Sequence, residues 1–500
     1  MLRMISRFSV AMTSEVAQHL TGHLRRADGQ EDCCFVLWRP STGASRTTAL
    51  LTEVVLPREG ERIVHGTVDF TSAYFLRAAA LAAEHGCGLG FIHAHPQGRG
   101  WQRLTAVDHE AEASFAAQTE VITGRSLVGL TFAGADAGFG ARVWQQQAPR
   151  RYAPTEAESV RVVGGRLTVT VNNRLLPAPP ATNRQLRTVS AWGQTAQDDL
   201  ARLHVGVVGC GSVGMIVVEA LARTGIQNLS LFDFDTVEEV NLDRLLHATI
   251  RDVRLHRAKA HLAARTSRRA ATATNFRAAP YELSVVEPAG FAAAADCDVI
   301  FSCVDRPWPR AVLNLLAYAH LIPVVDGGIA VDARGSGRLR GAEWRAHIAA
   351  PGRACLECLG QYDPAHVSAE RDGSLDDPAY ITGLPVDHPL RRKENVFVFS
   401  ASAAAAQLNQ FITMTTAPGG IADTGAHLYH LTTGTLERRE DGCEVGCPYD
   451  GMLRGLGDDA PVTVTGRHLA AEQARAARGL AVRGWPLRAR RAVDDLLLRL

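Results

Sequence analysis

Along the chain, apolar and polar positions repeat with a period of two in some stretches and near 3.6 in others. The switches between the two periods mark short strands and amphipathic helices. Over residues 1–150 this pattern predicts a helix at 14–26, strands at 33–38 and 49–56, an alanine-rich helix at 71–85 and a strand at 88–93. A helix over 105–119 and strands at 127–132 and 138–145 follow. Helices and strands come in mixed order, so the first domain is α/β with a sheet that is not all parallel. Residues 151–182 change character: ESVRVVGGRLTVTV reads as a hairpin with Gly-Gly at its turn, and LLPAPPATN as a Pro-rich linker. Beyond it lie a short helix, GQTAQDDLARL, and the strand HVGVVG, which runs into a glycine-rich turn, a helix and a second strand, LSLFD. This is a βαβ unit, the start of a Rossmann-like, mostly parallel sheet over 183–450. A buried strand in DVIFS, a buried helix over 396–411 and a strand over 427–431 extend it, and 451–500 reads as a helical extension.

Five hundred residues is a multi-domain length, and 46% apolar residues suffice for separate cores. The net charge of +1 gives no electrostatic footprint for nucleic acid. No apolar run is long enough to span a membrane, and the N-terminus lacks the apolar core of a secretory signal, so a cytoplasmic location is expected. Of ten cysteines, four form two close pairs, Cys355/Cys358 and Cys443/Cys447. In a cytosolic chain such pairs read as a metal site rather than as disulfides.

Two sets of residues carry chemistry. The first is His93-Ala94-His95-Pro96, a short loop, then Thr105-Ala106-Val107-Asp108. Histidines at i and i+2 of a strand end point the same way, and an Asp in the next helix's first turn can complete three zinc ligands with a fourth position left for water. The same T-x-x-D spacing is also a helix-capping arrangement, and a lone H-x-H also occurs as a structural pair. The second set is Gly209-Cys210-Gly211-Ser212-Val213-Gly214, with Asp233 and Asp235 after the next strand. The turn lets backbone N–H groups approach a phosphate, and Asp233 suits ribose hydroxyls, whether of ATP or of a nicotinamide cofactor.

The first set resembles the JAMM (JAB/MPN) metalloproteases, whose signature is an upstream Glu, H-x-H-P and S-x-x-D. The resemblance implies His93, His95 and Asp108 as ligands of a catalytic zinc. It implies Glu31 as general acid/base, with Glu53 a weaker match, and Thr105 in place of the Ser that stabilises the tetrahedral intermediate. The second set resembles the ThiF/MoeB and ubiquitin-activating adenylating enzymes: Asn183-Arg184-Gln185, the glycine-rich turn, D-x-D, then Asn241-Leu242-Asp243-Arg244, Lys259 and Asp305 occur in that family's order. It implies ATP lined by Gly209, Gly211, Ser212, Gly214, Asp233, Asp235 and Asn241, with Arg244 and Lys259 neutralising phosphate charge. Asp305, next to Arg306, would hold magnesium. Arg184 would reach into a partner subunit's site, making the chain a homodimer. Cys355, Cys358, Cys443 and Cys447 correspond to the family's structural zinc site, and 361–395 to its crossover loop. No cysteine occurs over 359–442, so this loop offers no acceptor for a thioester.

Together the resemblances imply a bifunctional enzyme that adenylates the C-terminal carboxylate of a ubiquitin-like or sulfur-carrier protein with a diglycine-type end and cleaves peptide or isopeptide bonds after it. A conjugating or sulfur-donor protein would be a further partner. The alternatives are activation of a small-molecule or RNA-linked carboxylate, and a non-catalytic carrier-binding scaffold.

Overall fold

Every residue of β1 (Phe8–Thr13) is buried, which sets it inside a sheet rather than at an edge. The computed structural model describes residues 7–65, 67–149, 151–333, 338–377, 382–383, 394–440, 442–461, 465–481, 489 and 491–492. Contacts divide the chain into two units: Met1–Ala178 with Tyr318–Leu321 and Met452–Pro461, and Pro179–Ala317 with Ile322–Gly451 and Val462–Leu500.

In the first unit, α1 (Ser14–Leu24) follows β1, then β2 (Cys33–Thr42), β3 (Thr47–Val55), the small ribbon β4 (Arg62–His65) and β5 (Thr67–Phe70), and α2 (Ser72–Glu84). Next come β6 (Gly88–His95), α3 (Ala106–Thr123), β7 (Val128–Ala133), β8 (Gly138–Ala148), β9 (Arg151–Glu156), β10 (Ser159–Val163) and β11 (Thr168–Val171). The main sheet has the order β11-β10-β1-β3-β2-β6-β7-β8-β9. It is mixed, as expected: β1 runs parallel to β3 and β10, and β6 to β7, while β2 is antiparallel to both its neighbours. The period of two explains how β2 serves two cores. Cys34, Val36 and Trp38 pack on the α1 face, and Cys33, Phe35 and Leu37 on the α2 and α3 face, where Phe35, Phe91 and Phe115 cluster. β6 runs through His95, so both histidines belong to the strand.

The hairpin expected within 151–182 is present, with β10 antiparallel to β11 across Gly164-Gly165, but it belongs to the main sheet rather than to a linker. β9 pairs with β8, and β10 lies parallel to β1. The partner of β10 lies some 150 positions earlier in the chain, and local pattern cannot reveal such a pairing.

The second unit opens with α4 (Leu186–Trp192) and α5 (Gln194–Arg202), then β12 (His204–Val208), α6 (Ser212–Thr224) and β13 (Asn228–Phe232). It continues with α7 (Ile250–Arg254), α8 (Lys259–Ala270), β14 (Arg277–Tyr281), α9 (Pro288–Ala294), β15 (Val299–Ser302) and α10 (Pro307–Ala319). β16 (Val324–Asp332), β17 (Gly341–Ala349), α11 (Pro364–Arg371), α12 (Phe397–Thr416), β18 (Ala426–His430), β19 (Thr435–Arg439) and α13 (Leu469–Ala481) complete it. The sheet order is β14-β13-β12-β15-β16-β17-β18-β19. The five strands from β14 to β16 are parallel, and β17, β18 and β19 are added antiparallel. β12 sits at the point where strand order reverses, the place where such sheets bind ligands. Val205, Val207 and Val208 are buried, as a central parallel strand requires.

The segment expected as one helical extension over 451–500 is divided. Met452–Pro461 groups with the first unit, and α13 with the second. Much of the expected crossover loop, including 384–393, lies outside the described residues; α11 occupies its start.

Candidate functional site

The glycine-rich turn is built by close approach. Gly209 has φ +90°, and a Cβ there would lie 2.5 Å from the Cys303 carbonyl oxygen. A Cβ on Gly214 would lie 1.9 Å from the Gly209 carbonyl oxygen, so only glycine lets α6 pack this tightly against the turn. The first turn of α6 has no side-chain cap. Its backbone N–H groups are therefore available to a ligand, and an anion is what they favour. Ser212 buries an Oγ that has no hydrogen-bond partner among the described residues.

A cavity of about 850 Å³ opens at the ends of the parallel strands. Gly209, Gly211, Ser212, Asp233, Asp235, Asn241, Arg244, Lys259, Asp305 and Arg306 line it. Gly214 acts behind the wall, through packing. Asp233 is fixed by two backbone donors: Cys210 N–H to Oδ2 at 2.8 Å and Asp235 N–H to Oδ1 at 2.9 Å. Burial pushes its carboxyl up to about 6, although the nearby Lys259 pulls the other way. Lys259 Nζ donates to Asp235 Oδ2 at 2.9 Å. Burial disfavours its charge, but Asp233 and Asp235 outweigh that and hold the ammonium above the usual lysine range. Arg244 is held by the Val240 carbonyl at 2.6 Å and by Asp243 at 2.8 Å. Asn241 Oδ1 accepts from Glu238 N–H at 3.1 Å, shaping the turn before Arg244. Arg306 pairs with Asp376 at 2.7 Å, and Asp305 stands exposed at the rim. Arg184 is exposed on the turn Asn183–Gln185 and does not line this cavity.

The cavity also has walls that the motifs did not announce. Asp326, fully buried on β16, accepts from Ser302 Oγ at 2.6 Å and pairs with Arg310 and Arg345. Both arginines face the cavity. Glu370 is buried, and burial pushes its carboxyl up to about 7. His468 enters from the segment before α13. None of these falls in a spaced motif, since strand pairing and chain return bring them together.

In the first unit, the ligand atoms of His93, His95 and Asp108 lie within 4.8 Å of one another. Both imidazoles reach to 3.6 Å from Asp108 Oδ2. His93 is buried, and neither of its ring nitrogens has a hydrogen-bond partner among the described residues. Two unsatisfied buried nitrogens beside a carboxylate suit a cation that accepts N and O donors. Against the cost of burial, the two histidines hold Asp108 well below the usual carboxylate range, and Asp108 raises His95 in return. The capping arrangement is also present. Thr105 Oγ1 donates to Asp108 Oδ2 at 2.7 Å and accepts from Asp108 N–H at 3.2 Å. The Thr105 hydroxyl hydrogen is thus committed to orienting Asp108 rather than aimed at a substrate. Glu31 falls beside His95 by register, because Cys33 pairs with His93 and Ala94 N–H bonds to the Asp32 carbonyl at 2.9 Å. Its charge contributes to raising His95. Sequence reading missed Asp32, which is buried and ion-paired with Arg26, Arg62 and His23, and so pins the strand start that carries Glu31. Glu53 pairs with His85, away from this cluster.

The four cysteines also converge, with sulfurs within 4.8 Å. Cys355 N–H donates to Cys443 Sγ at 3.2 Å, Cys358 N–H to Cys355 Sγ at 3.3 Å and Glu444 N–H to Cys358 Sγ at 3.4 Å. Such donors stabilise thiolate, and the hydrogen bond from Cys443 pushes the Cys355 thiol down to about 5.

Residues 182–419 match the model of the ThiF family. Over 173 residues the chain is 26% identical to ubiquitin-like modifier-activating enzyme 5 of Dictyostelium discoideum, covering 32% of this chain and 42% of that one. It is 31% identical over 148 residues to the molybdopterin-synthase adenylyltransferase of Escherichia coli K12, covering 29% and 56%. It is 32% identical over 146 residues to the tRNA threonylcarbamoyladenosine dehydratase of the same organism, covering 28% and 52%. The chain therefore spans about half the length of these curated relatives. The matched residues fall almost entirely in the second unit, which is thus similar in sequence to ThiF/MoeB-type proteins.

Proposed function

We propose that the second unit adenylates the C-terminal carboxylate of a small ubiquitin-like or sulfur-carrier protein, and that the first unit is a JAMM-type zinc metallopeptidase that cuts after the same terminus. The observation that carries the first half is the cavity itself. An uncapped helix N-terminus with an unsatisfied Ser212 hydroxyl, a ribose-type carboxylate at Asp233 and cations at Arg244 and Lys259 surround one space. In this reading the carrier carboxylate attacks the α-phosphorus of ATP, the bond to the β-phosphate oxygen breaks, and pyrophosphate leaves. Arg244 and Lys259 stabilise the charge that shifts onto the leaving group. Asp305 would hold the magnesium that accompanies ATP. The curated relatives include enzymes named for activating a ubiquitin-like modifier and for adenylating molybdopterin synthase, which supports a protein carboxylate as substrate.

In the first unit, His93, His95 and Asp108 would hold zinc, which lowers the pKa of a water in its open position. Thr105 keeps Asp108 turned toward the histidines. Glu31 takes the proton from the attacking water and returns it to the leaving nitrogen. A second zinc held by Cys355, Cys358, Cys443 and Cys447 would be structural, because four protein ligands leave no open position.

Carrier-dependent ATP–pyrophosphate exchange tests the adenylation. Exchange with a diglycine-ended carrier is expected, and its loss in Lys259→Ala. No exchange with any such carrier counts against the reading. The similarity to the tRNA threonylcarbamoyladenosine dehydratase favours one alternative, an RNA-linked carboxylate, and exchange driven by modified tRNA would select it. For the first unit, two zinc ions per chain are expected, falling to one in His93→Ala. A zinc content that this substitution leaves unchanged would refute the metallopeptidase site.

A further inference from the structure

Beyond the ThiF match at 182–419, the chain returns to the cavity. Gly466 N–H donates to the Val286 carbonyl at 2.8 Å, which ties the segment to the loop after β14. α13 is then clamped there: Arg475 bonds both carboxylate oxygens of Glu287 at 2.9 and 2.5 Å, and Arg478 pairs with Glu282. Ala471 is fully buried beneath it. These contacts fix His468 in the cavity wall, edge-on to Phe234 at 5.1 Å and to Trp308 at 5.4 Å between ring centroids. His468 is 5% exposed. Its Nε2 lies 4.0 Å from Glu370, and its Nδ1 is buried with no hydrogen-bond partner among the described residues. An orphaned ring nitrogen in a cavity wall carries a cost that a ligand atom can remove.

Its place in the cavity selects the ligand atom. The phosphate end is marked by Gly209, Ser212 and Lys259, and the ribose by Asp233. His468 packs against Phe234, the residue after Asp233, and its segment is tied to the loop whose Leu283, Ser284 and Val285 also line the cavity. In a parallel sheet of this kind the base extends past the ribose, away from the helix that binds phosphate. We infer that the segment 465–481 is part of the nucleotide site and that His468 Nδ1 hydrogen-bonds the purine base of the bound nucleotide. This rests on the reading of the cavity as an ATP site. Burial keeps the imidazole below the usual histidine range, so near neutral pH it is uncharged and meets the base as one neutral donor or acceptor.

Calorimetric titration of full-length His468→Phe with ATP tests this. Phenylalanine keeps the ring packing against Phe234 and Trp308 and removes only the polar edge. Loss of one such bond is expected to weaken ATP binding by about tenfold. Unchanged ATP affinity in a variant that melts like the wild type overturns the inference while leaving the ATP site standing. Wild type that does not bind ATP overturns the site reading itself. If His468→Phe folds poorly, amide exchange on the wild-type protein decides: ATP should slow exchange across 465–472, and no slowing refutes the contact.

Discussion

Asp233 shows how one residue links burial to function. Its carboxyl is pushed up to about 6, so in the folded chain it takes a proton well above the ordinary value of 3.8. The sign follows: the folded state binds more protons than the unfolded state between those values, so this group subtracts stability progressively as pH rises from about 4 to 6 and by a constant amount above. Nucleotide binding runs the other way, because only the carboxylate accepts two ribose hydroxyls. ATP affinity should be full above pH 7 and roughly tenfold weaker at pH 5, where about a tenth of the groups are ionised. Titration calorimetry from pH 5 to 8 checks it. Asp233→Asn should bind weakly throughout and lose the step near 6. A wild-type profile flat across this range would show that Asp233 does not meet the ribose.

At the scale of elements, α3 has two duties at one end. Thr105 caps the helix and aims Asp108 in the same pair of hydrogen bonds. Thr105→Ala should cost about 1 kcal/mol of stability, as lost caps do, seen as a lower Tm of chelator-treated protein. It should also weaken zinc binding, and Thr105→Ser should restore both; a Thr105→Ala protein with native zinc affinity would mean that the cap does not position the ligand. This overlap explains why the T-x-x-D spacing could not separate capping from metal binding in the sequence: the carboxylate that caps the helix is the one that faces the two histidines. The β12–turn–α6–β13 unit was legible because its chemistry is local. Gly209 and Gly214 stand where close backbone approach demands them, and Asp233 follows its strand directly. The H-x-H pair was legible for the same reason. The place of β9 and of the β10–β11 hairpin in the main sheet, the Arg310–Asp326–Arg345 cluster and His468 were not, because they depend on how the chain folds back on itself. Asp32 escaped notice because nothing in its neighbourhood reveals that Arg26 and Arg62 converge on it.

For the whole molecule, Arg184 poses the sharpest question. It is exposed and outside the cavity of its own chain, whereas Lys259 lies inside. On the proposal that the chain is a homodimer whose Arg184 serves the partner's ATP site, each site is built from Lys259 of one copy and Arg184 of the other. Arg184→Ala and Lys259→Ala proteins would then each be inactive in pyrophosphate exchange. Mixing equal amounts under conditions that exchange subunits forms mixed dimers with one of two sites intact, because the Arg184→Ala copy keeps its lysine and receives the arginine of the other. Random association makes about half of the dimers mixed, so roughly a quarter of wild-type activity should return. If Arg184 instead acts within its own chain, every site in the mixture lacks one of the two residues and no activity returns. Sedimentation of the same samples separates the remaining case, in which the variants fail to associate and the chain is a monomer. Recovery near a quarter would place Arg184 across the dimer interface, and a baseline reading from dimers that have exchanged subunits would refute that placement.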